Sequence, residues 1–194
     1  MNIELYSKYE WTPEFQKLSE WGSHLINDER ALNIAKFTKE GHNIVNRVID
    51  KDLPKWIIDL FNVPISHVQL FSAQPYAIGS VHMDGSDRLC AFNIPVKNTD
   101  QGVMEWLDGP VEGNLLELAH TSIRLLKNKE DGLKMDTSAQ IILDSPTLVN
   151  TNVWHRVDNS ANSRWRHVLS IRFLNNPSYQ EVKGLLSGFL KVHS

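Results

Sequence analysis

The chain of 194 residues predicts a mainly β protein with helices at its N-terminus and a double-stranded β-helix, or jelly-roll, core. Three observations carry this reading. Helix signals cluster before residue 65, and from Ile65 onward short runs of branched and aromatic residues alternate with turn residues. The third is that eight such runs can be counted, the number that two four-stranded sheets need. The chain is long enough for one domain to bury a hydrophobic core without staples. Its 41% apolar and 22% charged residues suit a packed fold and argue against disorder.

In order along the chain, Thr12-Pro13-Glu14 reads as a helix start, with a capping hydroxyl, a proline at the first helical position and an acid in the first turn. Phe15, Leu18, Trp21 and Leu25 then recur at helical spacing. Asn27 or Asp28 opens a second expected helix through Ala31, Leu32, Ile34 and Ala35, and Gly41 interrupts it. Residues 42 to 51 favour no single element. Asp52-Leu53-Pro54 starts a clearer helix, whose Trp56, Ile57, Leu60 and Phe61 form one apolar stripe. Residues 1–64 are therefore expected to be a largely helical support, and 65–175 the β core.

The expected strands are 65 to 74, 79 to 83, 89 to 96, 103 to 108, 138 to 143, 146 to 151, 154 to 158 and 165 to 174. Asp144-Ser145-Pro146 and the polar run Asp158 to Ser163 supply turns between them. Residues 109–137 interrupt the series. Leu115, Leu116, Ala119, Ile123 and Leu126 suit a helix or a strand equally, and an insertion of this length is often a lid or binding loop. Residues 176–194 are expected to be a C-terminal tail or helix.

Net charge is -3, which gives no broad basic surface, so nucleic acid is not indicated as a partner. The first residues show no apolar leader core, and no apolar stretch is long enough to span a bilayer. These readings lead to an expected cytoplasmic location and no membrane partner; oligomeric state is not legible. Cys90 is the only cysteine, so an internal disulfide and a cysteine zinc site are excluded, and it reads as a small buried side chain.

The chemistry centres on His82-Met83-Asp84 and on His155. Two histidines and one carboxylate on strands can hold a divalent metal on one face and leave the other open. The His-x-Asp pair alone is weak, because 8 histidines and 23 acids give about one such pair by chance. Its context strengthens it. The two sites fall on the second and seventh expected strands, which a double-stranded β-helix brings side by side at the mouth of a barrel. On the eighth strand Arg164, Arg166, Val168, Ser170 and Arg172 share one parity, while Trp165, His167, Leu169, Ile171 and Phe173 share the other. The greasy row suits packing on the N-terminal helices; the arginine row looks either into the funnel or to solvent. A buried arginine there would need a carboxylate, which its planar fork matches.

Four ordered segments resemble the iron(II)- and 2-oxoglutarate-dependent dioxygenases: His82-x-Asp84; Asn93-Ile94-Pro95-Val96; Val149-Asn150-Thr151 leading to His155-Arg156-Val157 and Asn159; and Arg166 leading to Ser170-Ile171-Arg172-Phe173. The resemblance covers about residues 65 to 175 and is nearest to the aspartyl/asparaginyl β-hydroxylase-like branch and small phage and bacterial relatives. It implies that His82, Asp84 and His155 bind iron and that Arg166 pairs with the distal carboxylate of the cosubstrate, with Asn93 and Ser170 beside it. Asn93 stands where that branch places a histidine, and Asp84 is an acidic ligand that the branch can lack. The presence of Asp84 points to the more general dioxygenase pattern. The implied reaction couples decarboxylation of 2-oxoglutarate to succinate, with dioxygen, to hydroxylation of a C–H bond in an unidentified substrate, such as an amino acid or a protein side chain. Tyr76, Trp106 and Arg172 are candidate substrate contacts. Arg156 and Arg172 hint at a carboxylate-bearing substrate or, equally, at structural ion pairs. The alternative is a cupin-like metal protein, an isomerase or a small-ligand binding module, without oxygenase activity.

Overall fold

The computed structural model describes residues 3–27, 34–35, 44–49, 53–61, 63–108, 115–117, 123–126 and 135–189. Thirteen strands and three short α-helices follow one another along the described residues. They begin with β1 (Tyr6–Lys8), α1 (Pro13–Asn27), β2 (Ile34–Ala35), β3 (Ile44–Ile49), α2 (Lys55–Leu60), β4 (Ile65–Ala73) and β5 (His82–Met83). Then come β6 (Cys90–Lys97), β7 (Val103–Leu107), β8 (Leu115–Glu117), β9 (Arg124–Leu126) and β10 (Thr137–Ile142). The chain closes with β11 (Thr147–Asn150), β12 (His155–Asp158), β13 (Arg166–Phe173) and α3 (Tyr179–Leu185).

The strands form two antiparallel sheets. The larger has seven strands in the order β1-β11-β6-β13-β4-β3-β2, and the smaller six in the order β10-β7-β12-β5-β9-β8. All eight strands expected from the sequence are present, and their interleaving between the sheets is that of a jelly roll.

The N-terminal third departs from the expected helical support. Where a second helix through Ile34 and Ala35 is expected, those two residues are a strand paired with β3, and the ambiguous 42–51 stretch contributes β3, paired along its length with β4. The branched run Ile44-Val45 and Val48-Ile49 suits a strand, and the partner edge of β4 completes its hydrogen bonds. Asn27 ends α1; Ala31 and Leu32 lie outside the described residues. Within 109–137 the described residues include two strands, β8 paired with β9 and β9 with β5, and Thr137 begins β10, while Ala119 lies outside the described residues. The C-terminal stretch is helical, and Ser178 and Glu181 form a capping box that starts α3.

The two faces of the larger sheet do different work. Leu169, Ile171 and Phe173 point outward and pack with Phe15 and Leu18 of α1, Ile57 of α2, and Phe61 and Phe92. Phe92 meets both Phe15 and Phe61 at 5.3 Å between ring centroids, and each fully buried ring contributes on the order of 1.5–3 kcal/mol. Gly22 lets α1 approach this closely, since a Cβ there would lie 2.7 Å from Leu169 and 2.8 Å from Val96. Between the sheets, Val168, Ala91 and Val149 pack with Met104, Trp106 and Ile141 of the smaller sheet. Val168 thus fixes the parity of β13: Arg166, Ser170 and Arg172 face the other sheet and are buried. Cys90 is buried, as expected, and burial pushes its thiol up to about 12.

Candidate metal centre

Pairing of β5 with β12 sets His82 directly opposite His155, and the next strand sets Trp106 on the other side of His155. Residues 73 positions apart in sequence thereby become neighbours, with ring centroids 4.3 Å apart. Asp84 follows β5 at the head of a short 3-10 turn, Gly85–Asp87, and its backbone N–H donates to Thr151 O at 3.0 Å. Thr151 Oγ1 in turn donates to Arg88 O at 2.6 Å, so the loop before His155 and the loop after His82 are tied to each other. The ligand atoms of His82, Asp84 and His155 all lie within 4.8 Å of one another and could hold a metal ion.

Local hydrogen bonds aim the imidazoles. His82 Nδ1 lies 2.9 Å from Ser80 O and His155 Nδ1 lies 2.8 Å from Val153 O. A carbonyl only accepts, so each Nδ1 carries a proton, which leaves Nε2 as the nitrogen that can bind a metal. Burial, reinforced by His82, pulls the His155 imidazole down to about 3. Burial raises the Asp84 carboxyl, but Arg172, His82, His155 and Arg88 together outweigh it and hold it below its ordinary value. The site is thus set for a neutral His155 ring beside an ionised Asp84 carboxylate. It sits deeper than a barrel mouth implies: Asp84 and His155 are buried, and only His82 is partly exposed.

The arginines separate. Arg164 is exposed and pairs with Asp100 at 2.9 Å, near the β12–β13 turn as expected. Arg156 pairs with its cross-strand neighbour Glu105 at 2.6 Å, on the face of the smaller sheet turned away from His155, and is a structural ion pair. Arg172 reaches Asp84 Oδ2 at 3.4 Å and Gln69 Oε1 at 3.3 Å. Arg166 is different. It is 3% exposed, its Nε and Nη2 are buried without a hydrogen-bond partner, and desolvation alone pulls it down to about 10. Asn159 Oδ1 is likewise buried and unpartnered. Both groups border Gly102, where an added Cβ would lie 2.6 Å from Asn159 Oδ1 and 2.7 Å from Arg166 Cδ.

Asn93 and Ser170 are adjacent across β6 and β13, and Gln69 stands beyond Ser170 on β4, forming an inward polar row one position pair away from Arg172. Trp106 is fully buried, stacks on Tyr6 at 5.6 Å and donates its indole N–H to Asn150 O, all as a core residue next to His155. Tyr76 is not brought to the triad: it is 67% exposed on a turn with φ 59°, and its N–H donates to Asn162 O at the β12–β13 end. Trp154 packs against Val81, Leu107 and Leu126, and His167 Nδ1 lies 2.9 Å from Ser72 Oγ, so both serve the fold. Sequence reasoning missed Gln69, Gly102 and the environment of Asn159; the inward parity of Gln69 opposite Ser170 becomes visible only once the β4–β13 register is known.

The fold and the buried triad define a jelly-roll protein with a candidate three-residue metal centre. No family model and no curated protein matches the chain. Among solved structures it is similar to the non-heme alpha ketoglutarate dependent epimerase SnoN from nogalamycin biosynthesis, with TM-score 0.56 and 9% identity over 86% of this chain and 76% of that one. It is also similar to AviO1 from Streptomyces viridochromogenes Tue57, with TM-score 0.53 and 12% identity over 90% and 92% of the two chains. A Pseudomonas putida prolyl-4-hydroxylase gives TM-score 0.53 and 12% identity over 88% and 92%. These likenesses show a shared fold. No described helix is long and apolar enough to cross a membrane.

Proposed function

We propose that this protein is an iron(II)- and 2-oxoglutarate-dependent oxygenase that hydroxylates a small molecule or a side chain. The observation that carries the reading is Arg166, a buried guanidinium with Nε and Nη2 unpartnered, facing the same inter-sheet space as the triad. Leaving a charged donor buried and unmet costs about 1–3 kcal/mol, and a carboxylate arriving from solution would meet both donors in bidentate fashion. A cupin-like metal protein without cosubstrate has no use for such a group, which favours the oxygenase reading over that alternative.

In this assignment His82 Nε2, His155 Nε2 and a carboxylate oxygen of Asp84 hold iron, and three ligands leave positions open for the keto acid and dioxygen. When bound, the iron activates dioxygen as 2-oxoglutarate is decarboxylated to succinate. The chain's own part is to orient, bind and exclude water. The carbonyls of Ser80 and Val153 fix the two rings; Arg166 pairs with the distal carboxylate, with Asn159 at its back; and Asn93 and Ser170 offer polar contacts further along the same inner face. No side chain has to act as a general base. SnoN is described as an epimerase, so inversion at a C–H centre by a related oxidation is the second outcome to assay.

The 109–137 segment is proposed to cover the site, since its β9 is hydrogen-bonded to β5 beside His82. Proteolysis within it should slow when iron, 2-oxoglutarate and substrate are added together, and an unchanged cleavage rate would remove the lid. The reading as a whole is tested by anaerobic titration of the protein with iron(II) and then 2-oxoglutarate. A weak visible charge-transfer band, followed by succinate formation when oxygen is admitted, is expected. Iron binding with neither band nor succinate would leave the alternative standing.

A further inference from the structure

Resting on the metal-centre reading, we infer that Arg172 and Gln69 form a brace that makes Asp84 a one-oxygen ligand, with Arg172 as a positioning residue rather than a substrate contact. A carboxylate offers two oxygens, and an unrestrained one can swing both onto a cation. Here Arg172 Nη1 lies 3.4 Å from Oδ2, while Oδ1 is on the histidine side, 3.8 Å from His82 Nε2. The two oxygens therefore have different neighbours before any metal arrives.

The brace is itself held at its other end. Arg172 Nε donates to Gln69 Oε1 at 3.3 Å, and Gln69 and Arg172 lie on adjacent strands, β4 and β13. All three members are buried: Gln69 is 3% exposed, Asp84 2% and Arg172 7%. With little water to compete, a guanidinium fixed by a neutral amide on one edge and a carboxylate on the other cannot drift. Asp84 is also tied at its backbone to Thr151, so both ends of the residue are constrained. The functional consequence is a matter of counting positions. A carboxylate binding through both oxygens would take one of the positions that a chelating keto acid and dioxygen need. Arg172 thus keeps the open face open, although as a cation it also opposes the metal's charge.

Those two effects have opposite signs, which makes the inference testable. The probe is cobalt(II), followed by calorimetry and by its visible d–d absorption, with no cosubstrate present. Wild type, Arg172→Met, Arg172→Lys and Gln69→Met are compared at matched folded fraction, established by thermal melts. The expected result for Arg172→Met is a loss of cobalt affinity of about 10- to 100-fold, the range for removing a residue that orients a metal ligand, together with an altered d–d band shape. Arg172→Lys and Gln69→Met, which keep the buried charge, should show smaller losses in the same direction; they carry the test if Arg172→Met does not fold. A role in stability alone would lower the melting temperature and leave the affinity and spectrum of the folded protein unchanged, and that result overturns the brace. Tighter binding in Arg172→Met would equally overturn it, because repulsion would then outweigh positioning. If wild type binds no cobalt, the metal-centre reading itself falls and the brace with it; if wild type binds and the variants match it, only the brace falls.

Discussion

Arg166 illustrates how a single side chain can cost stability in one state and supply it in another. With two buried donors unmet, replacing it by methionine removes a desolvated charge and keeps most of the volume. Arg166→Met is therefore expected to be as stable as wild type or more stable, by about 1–3 kcal/mol in urea denaturation without cosubstrate, while the requirement for 2-oxoglutarate rises at least about tenfold. Greater instability with unchanged cosubstrate affinity would put the carboxylate elsewhere. Asp84 behaves in the opposite way. A position at an open mouth implies that alanine there spares the fold, but Asp84 is buried and holds Arg172. Removing one partner of a buried pair costs about 3–5 kcal/mol, so Asp84→Ala should unfold at markedly lower urea concentration, and Asp84→Asn less so.

His155 brings a pH dependence whose sign follows from its imidazole being pulled from 6.5 to about 3. Between those values the unfolded chain binds a proton that the native one refuses. Its contribution to stability is therefore complete above about pH 6.5 and declines as the solution is acidified, by at most about 1.4 kcal/mol per pH unit. Asp84, held below its ordinary 3.8, adds loss in the same direction at lower pH. Metal-free His155→Asn should show a flatter denaturation profile between pH 6 and 4 than metal-free wild type, on a scale of about one unit of that slope.

Elements were legible where their own residues decide them. β13 is buried along its whole length, but its apolar and cationic residues alternate, and the turns before it and before β11 are chemically explicit, so the eight core strands read from the sequence stand where expected. β1, β2, β8 and β9 are only two or three residues long, too short for any periodicity, and exist because a partner strand offers free hydrogen-bonding groups. The helix-rich reading of the N-terminus failed for the same reason: Ile34 and Ala35 suit a helix face locally, and the pairing with Asn46 and Arg47 is not local information. The contact between α1 and β13 gives a test at this scale. Gly22→Ala gains at most about 1 kcal/mol of helix propensity, against about 1–3 kcal/mol of overpacking on Leu169 and Val96. A net loss is expected in chemical denaturation, with metal affinity unaffected.

Across the whole molecule, the triad was legible because its residues carry their own chemistry and fall on strands that this fold pairs. The brace on Asp84 was not, since Arg172 stands 88 positions from Asp84 and 103 from Gln69, and only the β4–β13 register brings Gln69 near Arg172. Trp106 was legible as an inward aromatic beside the site but not as a core residue roofed by Tyr6 from the opposite sheet. The pairing of β5 with β12 has a wider consequence. The two strands meet at one residue pair, His82 with His155, and β5 is itself only two residues long. Asp84 N–H is held by Thr151 O, but the pairings of His82 and Met83 with β9 and β12 are one or two residues long, so in the metal-free protein the amides of His82 and Met83 should trade hydrogen for deuterium well before the amides of β13. An ion shared by those two histidines would join the strands through their side chains, so the centre of the smaller sheet acquires its rigidity from the same event that makes the site competent.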